Sequence, residues 1–173
     1  MDISASPAFG SPANWTKSEV QAYALSVRKK IGYHTGSSVK GVIRYLGGDV
    51  HYARDSCRFS LIVEAREDFM VNLFAGKSVE QDNFSLATHI GRYTMHYAGE
   101  PMRVLKDHVP SELSRQTMNE AVWFAEEFMM PSDELQSAWR DLRGNVGMVA
   151  KHFGVSHLIA DLRTSTLGPV AVG

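Results

Sequence analysis

Asn83–Tyr97 reads NFSLATHIGRYTMHY, and the fold of the chain turns on this stretch. Leu86, Ile90, Tyr93 and Tyr97 recur at helical rather than strand spacing, which predicts a helix over Phe84–Tyr97. Thr88, Arg92, Met95 and Gly99 form a second stripe on it.

Upstream, Thr16-Lys-Ser-Glu19 is a capping box that starts a helix with Val20, Tyr23, Ala24, Val27 and Ile31 on one face, stopped by Gly32. A short helix is expected over Val39–Leu46, ended by Gly47-Gly48. The period then drops to two: Val50 and Tyr52 alternate, as do Phe59, Leu61 and Val63, and Phe69, Val71 and Leu73. Two helices followed by a small, mostly antiparallel sheet are the expectation.

Downstream, Gly99–Pro110 reads as a polar connection. A long helix is expected over Ser111–Met130, closed by Pro131. Two further helical stretches cover Asp133–Arg143 and Asn145–Ser165, the latter interrupted at Gly154. The division expected is a flexible arm at 1–15, a main domain at 16–143 and a helix-turn-helix-like segment at 144–173 packed on that same domain.

The 173 residues suit one domain with a real core, and the 44% hydrophobic and 21% charged fractions are ordinary for a globular chain. A net charge of -1 supplies no field that would draw the chain to nucleic acid or an anionic membrane. The single cysteine, Cys57, excludes an internal disulfide and a thiolate zinc cluster; it reads as a strand-edge residue. The first residues, MDISASPAFGSPANW, have neither a basic nor an apolar leader segment, and no apolar run is long enough to span a bilayer, so a cytoplasmic location is expected.

Phe84-Ser-Leu-Ala-Thr-His-Ile-Gly-Arg-Tyr-Thr-Met-His96 resembles the active-site helix of the ImmA/IrrE metallopeptidases, whose motif runs approximately F-T-L-A-H-E-L-G-H-Y-x-L-H. Glu120-Ala-Val-Trp-Phe-Ala-Glu-Glu-Phe-Met-Met-Pro131 is similar to the family's E-A-N-x-F-A-x-x-L-L-M-P helix. Val149-Ala-Lys-His-Phe-Gly-Val-Ser156, with Asp161-Leu-Arg163 and Leu167-Gly168, is similar to its terminal segment. The three matches keep the family's order and spacing. The resemblance implies an α+β, zincin-like metallopeptidase fold: N-terminal helices, a small sheet, an active-site-type helix and C-terminal helices. It also implies association with mobile elements, stress regulation and helix-turn-helix repressors, which active relatives cleave.

Position by position, the resemblance puts Thr88 where the first zinc-ligand His belongs, His89 at the general-base Glu and Arg92 at the second His; Glu120 keeps the third ligand. A catalytic zinc needs three protein ligands and an open position. Thr88 is a poor ligand, and Arg92 is a permanent cation that opposes a dication. The expectation is a degenerate site with no catalytic residue, no cofactor and an Arg92–Glu120 contact in place of the metal.

The alternative is a divergent zinc site from His89, His96 and Glu120, or with His108. His89 and His96 lie two turns apart, too far for one tetrahedral ion on a straight helix. Metal-free hydrolysis would need a nucleophile and base, and Ser85, Thr88 and His89 do not face one another in a helix.

The function expected is therefore that of a catalytically inactive regulatory protein that binds a protein partner, such as a helix-turn-helix repressor or a mobile-element or toxin-antitoxin-type partner. The expected partner cleft is made by Phe69, Val71, Leu73, His89, Arg92, His96 and Glu120, along a sheet edge near Phe69–Phe74 that an extended peptide would join. The alternatives are a zinc peptidase that cleaves a repressor, and a DNA-binding regulator using Lys151, His157 and Arg163. Against the latter, Arg140–Gly173 sets Arg140, Arg143, Lys151 and Arg163 against Asp141 and Asp161, a thin surplus for phosphate contacts.

Overall fold

A computed structural model describes residues 12–54, 57–105 and 112–168. The capping box at Thr16 starts α1 (Lys17–Ile31), and Gly32, at φ 65°, ends it. Ser38 caps α2 (Val39–Tyr45). The strands are β1 (Gly48–Ala53), β2 (Phe59–Ala65) and β3 (Asp68–Phe74), followed by α3 (Val79–His96). A short β4 (Met102–Leu105) precedes α4 (Glu112–Met129), α5 (Ser132–Asp141), α6 (Val146–Phe153) and α7 (His157–Thr164).

The sheet order is β1-β3-β2-β4. β2 pairs antiparallel with β3 and β4, while β1 lies parallel to β3. Period-two alternation sends Leu61, Val63, Phe69, Val71, Leu73, Met102 and Val104 into the core, against Leu86, Ala87, Ile90 and Tyr93 of α3. Met70 and Phe74 point away, 38% and 36% exposed. The Tyr93 hydroxyl accepts from the Glu67 amide at the β2–β3 turn, tying the hairpin tip to α3. Gly47, at φ 85°, lies so close to that turn that a Cβ would stand 2.4 Å from the Glu67 carbonyl oxygen.

α4 crosses α3 at Gly91, where a Cβ would fall 2.8 Å from the Phe124 ring. The missing side chain is what brings the two helices close enough for groups on α3 to reach Glu120 on α4. α1 packs on α4, with Tyr33 stacked on Phe128 at 4.6 Å. The Arg28 guanidinium donates to the Phe128 carbonyl and to Glu134 at the start of α5.

The terminal helices dock on the same core. Asn83 donates to the Gly154 carbonyl at the α6–α7 turn, at 2.9 Å. Arg163 of α7 donates to Glu127 at 2.5 Å and to Ser132 Oγ at 3.1 Å.

Three sequence expectations are corrected here. The connection over Gly99–Pro110 contains β4, whose Met102 and Val104 are core residues. α3 begins at Val79, under a Ser78–Gln81 capping box, five residues before the predicted start. Residues 12–15 of the expected flexible arm are in contact: the Ala13 amide donates to Glu120, Gln116 donates to Asn14, and Trp15 packs edge-on against Tyr23. Residues 1–11, His108 and the predicted helix start at Ser111 lie outside the described residues. No helix among the described residues is long and apolar enough to cross a membrane.

Candidate functional site

α3 presents Thr88, Arg92 and His96 in one i, i+4 row, and α4 presents Thr117 and Glu120 opposite. The close approach at Gly91 seals this contact. Arg92 is 5% exposed, His96 2% and Glu120 1%.

The centre of the site is the pair His96 and Glu120. His96 Nε2 lies 2.7 Å from Glu120 Oε2, and the Ala13 amide donates to the same oxygen at 3.0 Å. Burial pushes the His96 pKa below its ordinary value; the bond to Glu120 and its charge oppose the shift, and the Arg92 cation adds to it. A neutral imidazole donating from Nε2 to the carboxylate satisfies both the short distance and that direction. Glu120 Oε1 and His96 Nδ1 are sealed from solvent without a hydrogen-bond partner.

The expected Arg92–Glu120 contact is absent. Glu120 Oε2 is already taken by His96 and the Ala13 amide, and Arg92 instead directs Nη2 toward Met118 Sδ at 3.5 Å. Burial alone pulls its pKa down to about 10, so it stays charged at neutral pH.

These residues do not fit a catalytic zinc. The Thr88 hydroxyl donates back to the Phe84 carbonyl of its own helix at 2.9 Å, which turns it into the helix wall. Arg92 brings a positive charge to the position of the second ligand. One oxygen of Glu120 is already doubly hydrogen-bonded. Among the described residues, no three His, Cys, Asp or Glu side chains stand close enough together to hold a metal ion, so the alternative set of His89, His96 and Glu120 is not assembled. His89 is buried on the same helix, 9% exposed. Ser85 donates to the Gln81 carbonyl, and Cys57 is half-buried beside β2, remote in sequence from both helices.

The other expected site residues divide. Phe69, Val71 and Leu73 are core residues of an interior strand: β3 is paired on one side by β1 and on the other by β2. The sheet edge expected at Phe69–Phe74 therefore does not exist, because the parallel β1 covers it; the edges are β1 and β4. A cavity of about 730 Å³ does open beside α3, but Tyr23, Val27, Tyr45, Tyr93 and Thr94 line it, not Arg92 or His96. Of the residues considered for DNA, Lys151 and His157 are exposed, whereas Arg163 is committed to Glu127 and Ser132.

His96 at Glu120 was within reach of sequence reasoning, since His96 follows Arg92 by four residues and so shares its face. The Ala13 amide and Met118 carry no such signal.

A family model described as the IrrE N-terminal-like domain matches residues 63–165, more than half of the chain. No curated protein matches. Among solved structures, a Mycobacterium tuberculosis transcriptional regulator superposes with a TM-score of 0.60 at 19% sequence identity, over 90% of this chain and 48% of that one. The chain thus spans about half the length of that regulator, and the likeness establishes the α+β fold.

Proposed function

The chain belongs to the family of IrrE N-terminal-like domains, and from that premise we propose that it is a catalytically inactive member that regulates by binding a protein partner. The observation that carries this reading is the fate of Glu120. The one ligand type retained from the resemblance is bonded to His96 and to the chain's own Ala13 amide, while Thr88 is turned into its helix and Arg92 brings a cation. Hydrolysis by this family's route needs a metal-bound water and a general base, and His89 stands where that base would be. The transcriptional regulator with the same fold supports a regulatory setting. A helix-turn-helix repressor is the partner class that fits, because that is what active relatives act on.

The DNA-reading alternative is weakened by Arg163, whose guanidinium holds α7 to the core instead of projecting to a phosphate. The test is to mix the purified chain with helix-turn-helix repressors encoded beside it, with zinc added, and to follow both complex formation and repressor length. A stable complex with an intact repressor is expected. Cleavage that EDTA abolishes would overturn the proposal.

A further inference from the structure

Arg92 stands apart from the other well-covered arginines of this chain. Arg28, 7% exposed, donates to a backbone carbonyl and to Glu134. Arg163 meets Glu127 and Ser132. Arg92 is buried more deeply than Arg28, yet among the described residues no carboxylate comes within ion-pairing distance; its polar contact is a thioether sulfur, a weak acceptor. A buried cation without an anion is costly, and arginine is almost never fully buried unless paired. Such a group marks a place where a counter-charge is supplied from outside.

The surroundings allow access. Met118, which the guanidinium touches, is 46% exposed, so the charged end lies one side chain beneath the surface of α4. An unbranched methionine moves aside at little cost. Arg92 keeps 5% exposure against 2% for His96 and 1% for Glu120, so it is the least sealed of the three.

We infer that Arg92, beneath Met118 on the face shared by α3 and α4, is the receptor for a carboxylate carried by a ligand. The inference rests on the reading above that no zinc is held here. A carboxylate matches the guanidinium fork with two parallel hydrogen bonds and one negative charge. A phosphate brings a second charge, and the Glu120 carboxylate, which shares His96 as a neighbour with Arg92, disfavours it. The carboxylate belongs to an acidic side chain or to a chain terminus, two sources with the same chemistry.

Calorimetric titration at fixed ionic strength tests this with four probes. They are an end-blocked peptide with one glutamate, its glutamine counterpart, a peptide whose only carboxylate is its free C-terminus, and inorganic phosphate. Saturable binding of the glutamate peptide or the free-terminus peptide is expected, and which one binds identifies the source. The glutamine peptide should not bind, and Arg92→Met should weaken the carboxylate at least about tenfold. Arg92→Lys should recover only part of the affinity, because it keeps the charge and loses the fork. Phosphate binding as tightly as the carboxylates would overturn the ligand class, and no carboxylate binding would overturn the receptor.

The melting temperature of ligand-free Arg92→Met is the second readout. It should rise above that of the unsubstituted chain, since an uncompensated buried charge is replaced by an apolar chain of similar length. An unchanged or lowered value would make Arg92 a structural residue and overturn the inference. Zinc measured in the same samples separates the two levels. One zinc per chain would overturn the reading beneath, whereas failed carboxylate binding by zinc-free protein would overturn this inference alone.

Discussion

At the scale of the residue, His96 decides what the site is. Its imidazole spends Nε2 on Glu120, and its burial disfavours the charged form. The folded-state pKa lies below the unfolded value, so between the two the unfolded chain binds the extra proton. Stability from this group is therefore fully present above the unfolded pKa of about 6.5 and is lost as pH falls toward the folded value. Urea unfolding measured from pH 8 to pH 5 should show that loss, and His96→Ala should flatten it. At pH 8 the same substitution should cost on the order of 3 kcal/mol, because Glu120 remains buried with only the Ala13 amide as donor. A variant whose pH dependence matches the unsubstituted chain would place the titrating group elsewhere.

At the scale of the element, α7 is held by charge as much as by apolar contact. Arg163, about one-eighth exposed in its side chain, binds Glu127, which is 3% exposed and also accepts from the Ser132 amide and hydroxyl. Arg163→Ala should cost about 2 kcal/mol, the worth of a hydrogen bond to a charged buried group. Hydrogen exchange should then quicken in α7 while α3 keeps its protection; uniform loss across both helices would mean that α7 is not separately anchored.

Most elements were readable because their signals are local: the capping box at Thr16, the glycine stop at Gly32 and the alternation in β2 and β3 each need only a few neighbours. α3 was placed five residues short because Val79–Asn83 carries no apolar stripe, although Ser78 and Gln81 already spelled its cap. β4, with four residues, is too short for a period of two to stand out. The burial of β3 between two strands was unreadable for another reason: the parallel β1 pairing is non-local, and nothing in either strand names its partner.

At the scale of the whole molecule, the family's fold is present and its centre holds a His96–Glu120 hydrogen bond beside a buried Arg92. Gly91 lets α3 lie against α4, and that approach would serve a shared metal as well as it serves a shared hydrogen bond. The loss of the expected ligands was legible, since Thr88 and Arg92 stand in plain sequence. The arrangement around Glu120 was not, because a rotamer, the Ala13 amide and the reach of Arg92 decided it. Whether Glu120 ever takes a metal decides the proposed inactivity. The direct measurement is zinc content by mass spectrometry after incubation with excess zinc and desalting, on the unsubstituted chain and on Glu120→Ala. Far less than one zinc per chain is expected in both; one zinc per chain that disappears in Glu120→Ala would overturn the proposed inactivity.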